Sequence, residues 1–410
     1  MYAPFLELID LRWLHLVLYT APMFVALILV LLYAFRWRDY SLPRMNAAEP
    51  VDNFTEDVSE SEPVTNLPKL SVVITSDNQF DDLVQHLPLY LAQDYPDFEI
   101  IVVNVSSCDA TAEFIKHLQL QQKRLRHTFV PASATHISRK KFAITLGVRS
   151  ARAPWVVVTH ASARPASNQW LRIMASAMSA TKDIVLGYAN YPAPTDAHSR
   201  HAVFNRLFAQ LRYYRSAQGF GAIGGDSSNF AFRKTAFLEQ GGYDDNLQYN
   251  WGEADLLIQK LATRSNVGIA VDRQAILYEP LPIANVEAND KVFAYAALHK
   301  RGWRVRYYCF REAVATFGVY LLPLLFIAYI ACRGLYFACT ATYSIGEGCL
   351  DLLMLLFLIL MCWFPLRQLK RTTDALDLVS FGIALWAYSL QRPFDHWRTR
   401  WGYFRMKRQA

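Results

Sequence analysis

A long uncharged apolar run near the amino terminus constrains this chain more than any other feature. Residues 14–35 are 22 consecutive positions without Asp, Glu, Lys or Arg, and His15 is their only side chain that ionises near neutral pH. A helix of this length crosses a hydrocarbon layer of about 30 Å. The run is too long for a signal peptide and has no small-residue cleavage site before Arg36 and Arg38. We therefore predict a retained membrane anchor within residues 1–40.

Two further apolar runs lie near the carboxyl end, over 313–332 and 350–366. Each is long enough to span a membrane, which predicts a transmembrane hairpin over 313–366. Basic residues follow the first and the third run: Arg36, Arg38, Arg367, Lys370 and Arg371. Because such residues collect on the cytoplasmic side of membranes, both patterns place the middle of the chain in the cytoplasm.

The C-terminal region, residues 367–410, allows two interpretations. Its apolar stretch 375–391 is interrupted by Asp377 and is followed by a basic tail. The stretch forms either a fourth span or an amphipathic helix in the membrane interface, with Trp397 and Trp401 at headgroup level. A cytoplasmic tail favours the interfacial helix.

Charge and cysteine usage argue against several other classes of protein. The formal net charge is +7, but the basic residues collect beside the apolar runs and form no stripe that indicates nucleic acid as a partner. The six cysteines have no C-x-x-C spacing suited to zinc. Residues 41–68 are predicted to be a flexible acidic linker, since positions 45–68 hold six acidic residues and neither Lys nor Arg.

Between the linker and the hairpin, residues 69–312 alternate apolar runs of strand length with helical stretches. Strands are predicted at 70–75, 98–103, 154–159 and 183–187, and a helix over 80–91. This alternation predicts an α/β domain with a mixed, mostly parallel sheet and helices on both faces. Ligands of such sheets bind at the carboxyl ends of the strands, so we expect the chemistry at 75–78, 104–109 and 160–164.

Short motifs within 70–303 follow the order found in one family of enzymes. They are Ser71-Val72-Val73-Ile74, Gln93-Asp94-Tyr95-Pro96, Lys140-Lys141-Phe142-Ala143, Asn229-Phe230-Ala231-Phe232-Arg233-Lys234 and Gly241-Gly242-Tyr243. In these motifs the chain resembles membrane-anchored bacterial glycosyltransferases of family 2. The resemblance implies a nucleotide-diphospho-sugar transferase fold of the GT-A type in the cytoplasmic (inner) membrane. It also implies a nucleotide diphosphate sugar as donor, a glycan or lipid-linked acceptor, and membrane lipids as further partners.

The resemblance implies roles for individual residues. Those expected to bind the nucleotide sugar are Thr75, Asn78, Asn104, Asp109, Lys141, His160, Ser162 and Arg164. Those expected to contact the acceptor or the diphosphate are Asn229, Arg301 and Trp303, the last two in a variant of the interfacial Q/R-x-x-R-W element. Asp109 has the alternative role of a helix N-cap.

The catalytic base is expected in Trp251-Gly252-Glu253-Ala254-Asp255, where the family has acidic residues opening a helix. Glu253 is the candidate base and Asp255 its alternate. A carboxylate close to the start of a helix is kept ionised by the helix dipole. The alternative is that both acids simply favour the first helical turn.

One departure from the family pattern bears directly on activity. The family usually holds Mg²⁺ or Mn²⁺ with an Asp-x-Asp motif after the central strand, where this chain has His160-Ala161-Ser162. Hard cations prefer carboxylate oxygens, and a histidine beside a serine is a poor site for either ion, so no metal ligands are assigned. A second departure is Asn104, at a position that is usually acidic.

Two hypotheses remain open. The chain is an active transferase in which basic residues (Lys140, Lys141, Arg164 and Arg301) neutralise the diphosphate without a metal. Alternatively, it is a catalytically degenerate member that acts as a binding or scaffolding subunit of a glycan-assembly complex. A transporter fits poorly, since the predicted spans lack the charged residues that mark a pathway.

Overall fold

The structure is a computed structural model that describes residues 28, 41–42, 67–134, 136–219, 221–300, 303–340, 345–378 and 384–409. The chain divides into two compact units. One comprises Met1–Ser41, Cys309–Asp374 and Ser380–His396, and the other Leu42–Tyr308, Ala375–Val379 and Trp397–Ala410. The second unit contains the α/β domain.

Ten strands are described. They are β1 (Leu70–Ser76), β2 (Phe98–Asn104), β3 (Leu125–Phe129), β4 (Trp155–His160), β5 (Arg164–Pro165), β6 (Ile184–Leu186), β7 (Tyr188–Asn190), β8 (Phe230–Arg233), β9 (Val267–Ile269) and β10 (Ile276–Tyr278). Within the described residues, seven of them form one sheet in the order β3-β2-β1-β4-β8-β6-β9, and three form a small sheet in the order β5-β10-β7.

The large sheet is mostly parallel. β1 pairs in parallel with β2 and β4, β2 with β3, and β6 with β9, whereas β8 runs antiparallel between β4 and β6. All seven residues of β1 are buried. A strand covered on both faces reads as a continuous apolar run, which is why β1, β2 and β4 are predictable from the sequence. The predicted mixed, mostly parallel α/β architecture is confirmed.

Eleven helices are described. They are α1 (Phe80–Leu91), α2 (Thr111–Gln121), α3 (Arg139–Ser150), α4 (Trp170–Ser176), α5 (Ala197–Gly219), α6 (Lys234–Glu239), α7 (Glu253–Leu261), α8 (Ala284–Lys300), α9 (Trp303–Thr340), α10 (Ile345–Ala375) and α11 (Ala384–Gln409). Helix α1 has the predicted bounds. It buries Leu83, Leu87 and Tyr90, whose spacing of four and three residues places them on one helical face.

The side chain of Asn229 lies in the core and makes three hydrogen bonds there. Its Oδ1 accepts a hydrogen bond from the Trp170 indole at 3.1 Å, and its Nδ2 donates to the carbonyls of Tyr188 and Ala275 at 2.8 and 3.2 Å. The side chain is fully buried. A Cβ at Gly187 would lie 2.4 Å from this amide, so the close approach requires glycine there. The structure shows no part of the Asn229 side chain exposed to a ligand, and its role toward the acceptor or the diphosphate stays a prediction from the sequence.

The membrane predictions concern other parts of the chain. The predicted anchor over 14–35 lies outside the described residues apart from Ile28, and so does most of the linker. The predicted spans 313–332 and 350–366 lie within α9 and α10. Among the helices that the structure describes, none combines the length and the apolar composition required to cross a membrane. The spans stay predictions from the sequence.

Candidate active site

A cavity of about 630 Å³ lies at the carboxyl ends of β4 and β10. His160 and Ser162 line it from the end of β4, and Glu279 lines it directly after β10. Glu253 and Asp255 line it from the first turn of α7. The structure therefore brings together four of the residues expected to act in binding or catalysis, at the edge where open α/β sheets bind ligands.

His160 is buried and neutral. Its Nδ1 lies 2.8 Å from the Thr75 hydroxyl, since Thr75 and His160 occupy facing positions of β1 and β4. Burial, assisted by the positive charge of Lys140, lowers the pKa of His160 to about 4. Its Nε2 is buried and has no hydrogen-bond partner within the described structure. Thr75 thus supports the ring of His160 from the neighbouring strand.

The pair His160 and Ser162 does not fit the cation site that the family usually has here. It offers one imidazole, already bonded through Nδ1, and one hydroxyl, where Mg²⁺ or Mn²⁺ prefers carboxylate oxygens. In the parts of the chain with described coordinates, no three His, Cys, Asp or Glu side chains are grouped to hold a metal ion. The donor set, judged by its chemistry, is unsuited to a hard cation.

Arg206, which has no motif in the sequence, is held between two carboxylates. Its Nε and Nη2 donate to Asp226 at 3.0 and 2.9 Å, and its Nη1 donates to Glu279 at 2.5 Å. Ser228 also donates to Glu279. Burial acts to raise the pKa of Glu279, but the guanidinium of Arg206 outweighs it and lowers the pKa to about 2. This triad joins α5, the loop before β8 and the end of β10.

Asp255 is a buried carboxyl group whose pKa lies near neutral pH. Its Oδ1 accepts a hydrogen bond from the backbone of Gly225 at 3.3 Å, and Tyr213 is a second partner. Burial raises the pKa of Asp255 to about 7, although these bonds oppose the shift. A Cβ at Gly224 would lie 2.1 Å from Oδ1, so a glycine is required for the loop to approach the carboxyl group.

Glu253 begins α7 beside the same cavity. The residue before it, Gly252, has φ 74, a left-handed conformation that favours glycine at this helix start. The carbonyl of Glu253 accepts a hydrogen bond from the Tyr243 hydroxyl at 2.8 Å, which fixes the first turn. A carboxylate at this position is stabilised by the partial positive charge of the helix amino terminus.

Asn78, Asn104 and Asp109 form a separate cluster at the ends of β1 and β2, outside the cavity lining. Asn78 adopts φ 53, and its Oδ1 accepts from the backbone of Cys108 at 2.9 Å. Asn104 Oδ1 accepts from the backbone of Ser107 at 2.9 Å. Asn78 therefore joins the two loops, whereas Asn104 stabilises the loop that follows its own strand.

Asp109 joins the starts of two helices. Its Oδ2 accepts from the backbone of Phe80 at 3.0 Å and its Oδ1 from the backbone of Thr111 at 3.1 Å, the first residues of α1 and α2. Slight burial acts to raise the pKa of Asp109, but these hydrogen bonds lower it overall. The N-cap residues themselves are Gln79 for α1 and Ala110 for α2, so Asp109 stabilises both helix starts from outside the cap positions.

The remaining predicted residues lie away from the cavity. Lys141 is fully buried, and its Nζ donates to the Asn246 carbonyl at 2.9 Å. Helical phase explains the difference between the two adjacent lysines. Lys141 faces the core, whereas Lys140 lines the cavity. The guanidinium of Arg164 lies over the Tyr278 ring at 5.5 Å.

The Q/R-x-x-R-W variant lies at the start of α9. Trp303 begins this helix with an exposed side chain and has Tyr307 as its ring neighbour, at a centroid separation of 6.4 Å. Arg301 lies outside the described residues. Neither residue is part of the described cavity lining.

Sequence reasoning missed the triad of Arg206, Asp226 and Glu279. Glu279 was detectable in principle, since it follows a strand end, but β10 has only three residues and gives a weak periodic signal. Asp226 follows Gly224 and Gly225 in a loop, and Arg206 lies in the middle of α5, so neither carries a local signal.

Comparison with known proteins agrees with this architecture. Residues 71–241 match the family model described as glycosyl transferase family 2. The chain aligns with a solved mannosyltransferase, PcManGT from Pyrobaculum calidifontis in complex with GDP-Man and Mn²⁺. The alignment has 16% sequence identity, covers 93% of this chain and 98% of that chain, and has a TM-score of 0.50. An alignment with TarS 1–349 from S. aureus has 13% identity, covers 83% and 92% of the two chains, and has a TM-score of 0.40. No curated protein matches the chain.

The fold is that of a GT-A-type glycosyltransferase. Residues 71–241 are similar to glycosyltransferases of family 2.

Proposed function

We propose that this protein transfers a sugar from a nucleotide diphosphate sugar to a glycan or lipid-linked acceptor at the cytoplasmic face of a bacterial inner membrane. The donor binds where β1, β2 and β4 end, and the acceptor hydroxyl enters the cavity beside α7. The membrane location is supported by the apolar runs and the basic residues that follow them. In the similar structure of PcManGT the ligands are GDP-Man and Mn²⁺.

One observation carries the proposal. The residue pair that replaces the family's cation motif, His160 and Ser162, lines the same cavity as the acid pair Glu253 and Asp255. Sugar transfer needs the donor's anomeric carbon and the acceptor's deprotonating carboxylate to meet in one space. We place the anomeric carbon and the carboxylate together in this cavity.

Asp255 is better suited than Glu253 to take the acceptor's proton. A general base works best when its pKa lies near the working pH, and burial places that of Asp255 at about 7. A carboxylate has about four lone-pair positions, and the Gly225 amide and the Tyr213 hydroxyl use two of them. A position for the acceptor hydroxyl therefore remains.

The departing diphosphate needs a positive charge, and no carboxylate pair fit for a hard cation is present at His160 and Ser162. Lys140 lines the cavity and makes no salt bridge within the described part of the chain. Of the four basic residues that the sequence suggests for this electrostatic role (Lys140, Lys141, Arg164 and Arg301), we assign it to Lys140. An ammonium in a partly enclosed site stabilises a phosphate far more than it does in water.

The alternative is a degenerate member that binds without turnover. It is favoured by the absence of the Asp-x-Asp carboxylates and by the use of Asn78, Asn104 and Asp109 in loop hydrogen bonds. A chain of this kind would keep the fold and lose the affinity for nucleotide diphosphates.

The two functions are separated by calorimetry and turnover on the detergent-solubilised full chain. UDP, GDP and their sugars are titrated with and without Mn²⁺, and release of nucleoside diphosphate is followed with a panel of glycans. The transferase predicts binding that does not need the ion and turnover that Asp255→Asn abolishes. If no nucleotide bound under any condition, only the alternative of a catalytically degenerate scaffolding member would remain.

A further inference from the structure

The cavity lining has an excess of negative charge. Six acidic and three basic side chains line it. Two of the acids, Asp226 and Glu279, share the single charge of Arg206. A third, Glu287, is paired with Lys291 at 2.7 Å.

Three acids are left: Glu253, Asp255 and Asp290, all lining the same cavity. Neither Glu253 nor Asp290 makes a salt bridge within the described structure. Burial raises the pKa of Asp290; the positive charge of Lys140 opposes this shift and the negative charge of Glu253 adds to it. The positive charge of Arg212 acts on Asp255. A second anion is therefore disfavoured here, and a cation is favoured.

Two buried polar atoms of the lining point to a ligand that donates hydrogen bonds. Gln210 is 1% exposed, and its Nε2 donates to Asp226 at 2.7 Å, which fixes the orientation of the amide. Its Oε1 then has no donor within the described residues. The Nε2 atom of His160, a residue 8% exposed, likewise lacks a partner there. Leaving a buried acceptor unbonded costs about 1–3 kcal/mol, which a donor group of the ligand would recover.

Aromatic rings complete the lining. Trp251 is stacked on Phe293, with an interplanar angle of 5° and a centroid distance of 6.0 Å, and both residues line the cavity. Tyr191 lines it as well, with the guanidinium of Arg206 4.8 Å above its ring. Ring faces beside carboxylates stabilise an ammonium group and pack against the apolar face of a sugar.

We propose that the cavity recognises an acceptor sugar with a free, unacetylated amino group, whose ammonium lies between Glu253 and Asp290 and whose hydroxyl donates to Gln210 Oε1. This inference rests on the proposed function, because it names the acceptor class of the same site. A neutral glycan leaves the carboxylates unpaired, and an acidic glycan acceptor is repelled by them. Only a cationic, hydroxyl-rich ligand complements both the charge and the hydrogen-bonding atoms.

The test uses three tetrasaccharides of equal length, built of glucosamine, N-acetylglucosamine and glucose. Their binding to the full chain in detergent is measured by calorimetry at a pH at which the sugar amine is protonated. We expect the glucosamine tetrasaccharide to bind about ten-fold more tightly than either neutral one, the equivalent of about 1.4 kcal/mol. The preference should shrink as salt is added, because screening weakens the ion pair.

Two substitutions test which carboxylate is responsible for the preference for the amine. Asp290→Asn should remove most of the preference for the amine, whereas Glu113→Gln, an exposed acid on α2, should leave it unchanged. Equal binding of the three sugars, or tighter binding of the acetylated one, would overturn the inference. Should Asp290→Asn fail to fold, the salt series on the unaltered protein decides the matter, because a preference that salt does not weaken contradicts an ion pair.

Nucleotide titrations on the same sample separate this inference from the proposed function. If UDP or GDP binds and no amine preference appears, the transferase stands and the inference falls. If the amine preference appears without any nucleotide binding or turnover, the transferase falls, and with it the assignment of the sugar as an acceptor.

Discussion

Thr75 and His160 face each other on the adjacent parallel strands β1 and β4, and a hydrogen bond of 2.8 Å joins the Thr75 hydroxyl to Nδ1 of the ring. The bond fixes the ring at the edge of the cavity and leaves Nε2 without a hydrogen-bond partner among the described residues. A neutral, buried imidazole thus occupies the end of β4. Protonation in mild acid would give this site a positive charge, whereas protonation of a carboxylate removes a negative one.

The low pKa of His160 predicts a loss of stability in mild acid. Between pH about 4 and about 6.5 the unfolded chain binds a proton that the folded chain does not, so the free energy of unfolding falls as the pH falls through this window. His160 alone contributes a slope of up to about 1.4 kcal/mol per pH unit. His160→Gln should flatten the curve, measured by urea unfolding at a series of pH values. His117→Gln, at an exposed position of α2, should leave the slope unchanged.

The buried carboxyl group of Asp255 predicts how turnover depends on pH. As a general base it must be ionised, so kcat/KM should rise with pH and level off above about 7. Asp255→Asn should lower the rate by about 10²–10⁴-fold and remove this rise. Glu253→Gln should retain it. If the rise persists in Asp255→Asn and vanishes in Glu253→Gln, the base is Glu253.

The triad of Arg206, Asp226 and Glu279 predicts a large cost for removing its cation. Arg206→Met leaves two buried carboxylates unpaired and should lower the free energy of unfolding by about 3–5 kcal/mol. Adding Glu279→Gln should restore part of the loss. Lys69→Met, which breaks the exposed pair with Asp97, should cost no more than about 1 kcal/mol. Equal losses in Arg206→Met and Lys69→Met would show that the triad is not structural.

The close approach of Gly224 to Asp255 predicts that one methyl group is harmful. In Gly224→Ala the new Cβ would lie 2.1 Å from Asp255 Oδ1, so the loop or the carboxyl group must move. We expect about 1–3 kcal/mol of destabilisation, with a fall in activity. Gly219→Ala, at the end of α5 with no atom within 4 Å, should change neither stability nor activity. Thermal unfolding and turnover of both variants check the contrast.

The sequence predicts the fold better than the site for a physical reason. The strands β1, β2 and β4 are continuous apolar runs, and α1 has a regular apolar spacing, so local patterns suffice. The triad is different, because Arg206 and Glu279 are 73 positions apart and are brought together only by the tertiary structure. No local pattern of charges indicates such a meeting.

Helical phase and core packing explain where two of the predicted site residues lie. Lys140 and Lys141 are equivalent as letters of a motif, but only the phase of α3 decides which of them faces the cavity. Asn229 has the polar character of a ligand, yet all its hydrogen bonds lie inside the core. A polar residue in a motif can serve folding as readily as binding.

The hydrogen bonds of Asn229 have a consequence for the integrity of the domain. Its amide joins the Trp170 indole to two backbone carbonyls, so a substitution there would leave a buried indole donor without an acceptor. That cost is the same whether or not the cavity turns over a substrate. Loss of activity in an Asn229 variant would therefore report on folding before it reports on chemistry.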